Sequence, residues 1–441
     1  MRVVISNTVA LNGGDAAILF SIRKVLRDHL GDRLNLTIFD SQPEVASRLY
    51  PDLDFQQLLY EKATLRRECN AIDNRYLRYL LRESSSIVNP LRIWLALYLW
   101  RYVDAKAARR LLTDAEWQSL QVYASADVII STGGTYLVDY YFLEPRIFDY
   151  QLALFFGKPL VFYTQTLGPF HKPKYRKALG TIFNRADLAF LREEASIENL
   201  RDIGVTSTPL IQAADAVFSL AEPSQLEAAR TKPYPTGERP HVAISVRHWP
   251  HFKHVPKEEG MANYKKQIAA AATHLVEDHN ARVTFVSTCQ GVREYRTDDA
   301  HVARQIVSML PDAVREHVHV DADFHPPTQL KEQLTQYDFV IATRMHMAIL
   351  SLTAGTPVLP IAYEEKTTHM FEKMDLVEWV TDIEFIGSDF SDRVDAFIQN
   401  IDTLRAKQID GTLSEYAQAQ HAAESLQEKL SVLEAPAPAA A

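Results

Sequence analysis

The chain has 441 residues, 47% hydrophobic and 23% charged, with a formal net charge of −9. That length exceeds one ordinary hydrophobic core and predicts two domains, while the composition excludes a disordered chain. The acidic balance excludes a general nucleic-acid binder, no apolar run reaches a membrane span, and Met1-Arg2 leads straight into a strand-like run rather than a signal peptide, so a cytoplasmic location is expected.

In chain order, Arg2 to Asn7 reads as a buried strand and Ala10 to Asp15 as a glycine turn. Ile18, Ile22, Val25, Leu26 and Leu30 then recur at helical spacing, with Asp15 as the expected N-cap and Gly31 as the stop. A second strand is expected at Leu34 to Phe39. Strand, turn, helix and strand open a parallel α/β domain, whose ligands bind beyond the carboxyl ends of the strands. The Asn12-Gly13-Gly14-Asp15 loop sits at that edge but lacks the spaced third glycine of a dinucleotide site.

Residues 42–125 break this rhythm. Positions 61–110 hold eleven Lys/Arg against five Asp/Glu, an excess of six positive charges in an acidic chain. The run from Leu91 to Val103, LRIWLALYLWRYV, sets Trp94, Tyr98, Trp100 and Tyr102 among leucines. Two readings stand: a helix of an inserted subdomain, or a helix lying in the interface of a membrane.

From Ala126 the alternation resumes. Strands are expected at ADVIIS, at Pro159 to Thr164 and at Leu188 to Leu191, with helices at Lys174 to Asn184 and Ala195 to Asp202. Gly133-Gly134 and Gln165-Thr166-Leu167-Gly168 follow the first two of these strands, at the binding edge. Residues 221–240, with four prolines, read as a linker. A second α/β domain is expected over 241–385, with strands at His241 to Arg247, Arg282 to Ser287 and His317 to Asp321 and helices between them. C-terminal helices should fill 386–433, leaving 434–441 as a disordered tail, and 1–220 forms the first domain.

The chemistry concentrates between Asp338 and Met374. The buried run DFVIAT leads into Arg344-Met345-His346 at a helix start, Gly355 ends that helix, and Pro357 begins another apolar run before Tyr363 to Lys366. An arginine fork beside unpaired helical N–H groups is an anion site for a carboxylate or phosphate. His248, His251 and His254 have no carboxylate near them in sequence, so no metal site is expected. Cys69 and Cys289 are far apart and read as reduced, buried thiols.

These pieces resemble the polysaccharide pyruvyl transferase family. The resemblance rests on Asn12-Gly13-Gly14-Asp15-Ala16-Ala17-Ile18, the Gly133-Gly134 loop, and Gln165-Thr166-Leu167-Gly168-Pro169 preceded by Thr164 where the family has glycine. It continues through Arg192-Glu193 with Ser196, Leu200 and Gly204, through Ala214-Asp215 with Phe218, and through Arg344, His346, Ile349, Gly355, Pro357, Tyr363 and Lys366. The match runs through nearly the whole chain outside residues 42–125. It implies an α/β, GT-B-like fold of two Rossmann-like parallel-sheet domains facing across a cleft, the first on the acceptor side and the second on the donor side. It also implies transfer of a pyruvyl group from phosphoenolpyruvate to two hydroxyls of a sugar, as a cyclic ketal, with no further cofactor and no metal. The acceptor would be a sugar in a polysaccharide or a lipid-linked oligosaccharide; separately, on the interfacial reading of its aromatic and basic composition, the run from Leu91 to Val103 would be a peripheral contact at the inner face of the membrane.

On this reading Arg247, Arg344, Met345 and Lys366 bind the donor, and His346 is the general acid/base because histidine is the side chain type suited to such proton transfers. Asp15 takes a proton from the sugar hydroxyl, or serves only as a cap. Asn12, Gly13, Gly14, Gly133, Gly134 and Gln165 form ligand loops. A nucleotide-sugar glycosyltransferase of the same fold, with Glu364 or Glu365 on a ribose, is the alternative, and a non-catalytic carbohydrate- or lipid-binding protein is a third.

Overall fold

The structure, a computed structural model, describes residues 1–63, 74–235, 238–295 and 297–434. Contacts divide the chain into two compact units: Met1–Ala10, Ile22–Ala213 and Ala422–Ala441 form the first, Leu11–Ser21 and Ala214–His421 the second.

The first unit is built on strands β1 (Arg2–Thr8), β2 (Asn35–Asp40), β3 (Asp54–Gln57), β4 (Val128–Ser131), β5 (Gly134–Leu137), β6 (Leu160–Leu167), β7 (Leu188–Leu191) and β8 (Leu210–Gln212). Among the described residues they form one sheet in the order β3-β2-β1-β4-β6-β7-β8, with β5 also on β6, and all of its pairings are parallel. Such a sheet is covered on both faces, so its strands are apolar runs rather than alternations. Every residue of β4 and of β7 is buried.

The region expected as a helical insertion also supplies β3, which extends the sheet at its edge. Beyond it the Arg75–Tyr102 helix seats Ile93, Ala96 and Leu97 in the core with no exposure. Trp94 meets Phe148 and Phe155, while Trp100 stacks on Trp117 at 4.6 Å, so both tryptophans face inward as in an ordinary buried helix. Arg92 forks onto Glu116 of the Asp114–Ser125 helix (Nη1 to Oε2, 3.0 Å). Burial would raise the Glu116 pKa, but this fork and the Thr113 capping bonds bring it below the ordinary value.

The second unit holds β9 (His241–Ser245), β10 (Arg282–Phe285), β11 (Val318–Val320), β12 (Phe339–Ala342), β13 (Val358–Ala362) and β14 (Thr381–Asp382). Their order among the described residues is β11-β10-β9-β12-β13-β14, again wholly parallel. The proline-rich 221–240 stretch is more than a linker: its Pro223–Arg230 helix buries Leu226 against Ala221 and Ile409. Gly355 ends the Met345–Thr353 helix at φ +78°, where a Cβ would also lie 2.6 Å from the Ala229 Cβ. The C-terminal Ile401–Glu434 helix ties itself to β13, since the Gln408 side chain accepts from Val358 N (2.8 Å) and donates to Val358 O (2.7 Å). Cys289 is a buried free thiol, whereas Cys69 and tail residues 435–441 lie outside the described residues. No described helix is long and apolar enough to cross a membrane.

One buried acid makes the first unit sensitive to pH. Asp149 lies fully buried beside Tyr123, and burial pushes its carboxyl up from 3.8 to about 8. The unfolded chain gives up this proton near the ordinary value while the folded chain keeps it. The contribution to stability is therefore complete in acid and is lost as pH rises toward 8. Asp149→Asn should raise the melting temperature by several degrees at pH 8 and hardly at all at pH 4, followed by circular dichroism. Equal shifts at both pH values would contradict this account.

Candidate functional site

Four neighbouring strands of the second unit end at one edge, in the order β10-β9-β12-β13. Parallel strands place their carboxyl ends together. Ala342 of β12 pairs with Ser245 of β9, so two residues beyond each partner stand Arg344 and Arg247. Past the end of β10 come Thr288 and Cys289, and past β13 come Tyr363, Glu364 and Lys366. The sheet register thus delivers three cations to one edge.

Arg344 takes the N-cap position of the Met345–Thr353 helix with an extended backbone (φ −80°, ψ 125°) and no side-chain cap bond. Its side chain is buried and forks onto Asp299, Nε to Oδ2 and Nη2 to Oδ1, both at 2.8 Å. Asp299 also accepts from Ser287 Oγ at 2.6 Å. Burial opposes the Arg344 charge, but Asp299 outweighs it and holds the guanidinium well above its ordinary pKa. The fork occupies the edge that the sequence assigned to a ligand, leaving Nη1 on the far side. The Met345 side chain is buried in the core, which leaves its backbone N–H in the first turn as the group a ligand would meet.

Arg247 has an aromatic setting. Its guanidinium carbon lies 3.8 Å from the Tyr363 ring centroid and 4.9 Å from that of Trp249. Lys366 Nζ sits 5.5 Å from the same Tyr363 ring and 2.7 Å from Glu364 Oε2. Burial lowers the Lys366 pKa, but Tyr363 and Glu364 more than reverse this, while Arg247 opposes its charge from nearby. The Tyr363 ring thus lies against two cations, Arg247 and Lys366. Glu364 is engaged by Lys366, and Glu365 is exposed.

His346 is the next polar residue along the same helix. Its Nε2 is 3.4 Å from Asp215 Oδ2, an ion-pair distance. Asp215 Oδ1 in turn accepts from Val217 N at 3.0 Å, capping the short Ala216–Leu220 helix and fixing the carboxylate. The other edge of the imidazole lies on the glycine loop: a Cβ on Gly14 would stand 2.4 Å from His346 Nδ1. Gly13 is equally confined, since its N–H donates to Thr288 O (3.1 Å) and a Cβ would fall 2.1 Å from that oxygen. Asn12 organises the loop by accepting from Gly14 N (2.9 Å) and donating to Tyr295 OH (3.2 Å). The Gly13–Leu30 helix therefore takes its cap from Asn12, not from Asp15, which lies in the first turn.

The first-unit loop residues form a separate group. Gln165 is fully buried, and its Nε2 donates to Ser131 Oγ and Tyr136 OH, both at 3.2 Å, and to Thr132 O. A Cβ on Gly133 would meet Thr164 O at 2.6 Å, and Gly134 begins β5 at φ +144°. Gly133 thus permits close backbone packing within the unit, and Gly134 a backbone conformation that favours glycine.

Two histidine groups bear on metal binding. His254 Nδ1 meets Glu384 Oε2 at 2.7 Å, a carboxylate that proximity in sequence does not reveal, whereas His251 packs on Trp249. Among the described residues, His274, His279 and Asp395 have the geometry to hold a metal ion. Both Nε2 atoms already bond Asp395 Oδ1, at 2.7 and 2.6 Å. Sequence reasoning missed Asp299, Asp215 and Tyr295 as neighbours of the site. Asp215 alone had a signal, as a carboxylate in an apolar run.

If Arg344 is held chiefly by its partner, Asp299→Asn should cost about 3–5 kcal/mol in urea unfolding, because it strands a buried cation. Asp299→Asn with Arg344→Met should recover a large part of that loss. A double variant no more stable than the single one would contradict the pairing.

The sequence model of the polysaccharide pyruvyl transferase family matches residues 12–365. The amylovoran biosynthesis protein AmsJ of Erwinia amylovora is 28% identical over 275 residues, which is 58% of this chain and 62% of that protein, so the chain spans under two thirds of this relative. Among solved structures, Anabaena HepE in complex with UDP-glucose superposes with a TM-score of 0.56 at 12% identity, covering 98% of this chain and 100% of that one. Sucrose-phosphate synthase from Thermosynechococcus elongatus gives 0.53 at 12% identity, covering 98% of each chain. These likenesses show a GT-B-like fold of two parallel-sheet α/β domains. With more than half its length matched, and with the motif residues placed as described, the chain belongs to the polysaccharide pyruvyl transferase family.

Proposed function

We propose that the chain moves the pyruvyl group of phosphoenolpyruvate onto two hydroxyls of one sugar in an exopolysaccharide or its lipid-linked precursor. The observation that carries this reading is the group of Arg344, Arg247 and Lys366 at the ends of neighbouring parallel strands, followed along the chain by the His346–Asp215 pair. A small ligand with both a phosphate and a carboxylate needs several fixed cations, and Arg344 is fixed by Asp299 before any ligand arrives. Membership of the family and likeness to an amylovoran biosynthesis protein support polysaccharide modification as the setting.

The reaction balances without an oxidant or reductant. A proton is added to the donor methylene, a sugar hydroxyl attacks the adjacent carbon as it becomes cationic, and a second hydroxyl completes the ketal as inorganic phosphate leaves. Two hydroxyl protons are released: one replaces the proton given to the methylene and the other leaves with phosphate. Asp215 faces His346 Nε2, which directs the mobile proton to Nδ1 on the glycine-loop side. Asp15, in the first turn of the Gly13–Leu30 helix, is the proposed acceptor of a hydroxyl proton. We assign phosphoenolpyruvate as co-substrate and propose no other cofactor.

Purified protein with phosphoenolpyruvate and a sugar acceptor should release phosphate only when both are present and add a pyruvate ketal to the acceptor mass. His346→Ala should lower turnover by about 10²–10⁴-fold, the range for losing a positioned acid/base. Gly14→Ala, which drives a methyl into His346, should lose about 10²-fold with the melting temperature little changed. Turnover with a nucleotide sugar and none with phosphoenolpyruvate would replace this reading by that of a glycosyltransferase.

A further inference from the structure

The Arg75–Tyr102 helix has a second apolar face that the core does not use. Val88, Leu91, Leu95, Tyr98 and Tyr102 are between 52% and 66% exposed and follow one another at alternating steps of three and four residues. That spacing draws a straight stripe along one side of the helix, opposite to Ile93 and Leu97. A second exposed segment, Tyr140, Tyr141 and Phe142, follows β5 at 71%, 45% and 49% exposure. Aromatic contacts join the two segments within the first unit: Phe142 to Tyr60 (6.3 Å), Tyr60 to Phe148 (5.7 Å) and Phe148 to Trp94 of the helix (5.6 Å). The Asp139 carboxylate accepts from the backbone N–H groups of His171 and Lys172, which holds the loop in place. The stripe, continued by Val103, is a patch of six of the thirteen large hydrophobics exposed among the described residues, and the loop adds three more exposed side chains.

We propose that this patch lies on the surface of an anionic lipid bilayer. Charge selects that occupant: in a chain of net −9, Arg101, Lys106 and Arg110 are exposed beside the end of the stripe. The tyrosines suit it as well, since their rings have an apolar body and a polar tip that belong at a water–lipid boundary. A second copy of the chain fits less well. The stripe covers two heptads, about 21 Å at 1.5 Å per residue, whereas a coiled coil needs about three or four. With no described helix long enough to span, the contact is peripheral. The inward-facing Trp94 and Trp100 take no part in it.

Flotation of the full chain with vesicles tests this without any substrate, so its outcome is independent of the proposed transfer. The protein should float with phosphatidylcholine vesicles containing phosphatidylglycerol, and weakly with phosphatidylcholine alone. Leu91→Ser, Leu95→Ser and Tyr98→Ser together should reduce the bound fraction at least tenfold with an unchanged melting temperature. Tyr140→Ser with Tyr141→Ser should reduce it less. No flotation of the native chain, or equal flotation of the triple variant, overturns the proposal. So does a dimer, seen by light scattering, that the same triple variant dissolves.

Discussion

The buried fork between Arg344 and Asp299 is the constraint on which the second unit's binding edge depends. A guanidinium taken out of water needs a partner, and Asp299 supplies one with two bonds of 2.8 Å. The partner is itself held by Ser287, beyond the end of β10, so Arg344 at the end of β12 is braced from across β9. This turns a flexible side chain into a fixed positive charge where a parallel sheet opens toward ligand. Arg247 is steadied differently, by the faces of Tyr363 and Trp249, and keeps its hydrogen-bonding edge more available than Arg344 does. Two arginines from neighbouring strands thus play different parts. Arg344 is held in a closed ion pair, and Arg247 has more capacity to contact a ligand.

The fold and the family were legible because they rest on patterns that short windows preserve. Apolar runs of four to six residues, each followed by a glycine or polar turn and then a 3.6-residue periodicity, announce parallel α/β structure even with inexact boundaries. The short strands β3 (DFQQ) and β5 (GTYL) were not legible, because neither is an apolar run and each is defined by what it pairs with. The 221–240 stretch misled through its prolines: one of them, Pro223, begins a helix instead of preventing one.

At the candidate site, Arg344, His346, Arg247 and Lys366 were readable from their place at strand ends. Their partners were not. Asp299 lies 45 residues from Arg344 in sequence and 2.8 Å away in space, and nothing local distinguishes it from Asp298, which caps its own helix. Asp15 was misassigned as a cap because Asn12 competes for the same role, and only the Gly14 bond decides between them. Trp94 and Trp100 show the limit of composition: an aromatic, basic helix reads as interfacial, but which of its faces turns outward is a question of packing.

The Leu11–Ser21 segment has a consequence for how the molecule can be divided. Compactness assigns it to the second unit, although nearly two hundred residues of the first unit separate it from Ala214. A fragment begun at Ala214 would carry Arg247, Arg344 and His346 but would lack Asn12, Gly13 and Gly14, and with them the surface on which the imidazole rests. The site is therefore discontinuous in the gene. Exchange of whole halves between homologues would separate His346 from its own glycine loop, unless the crossover also carried the first helix's opening turn.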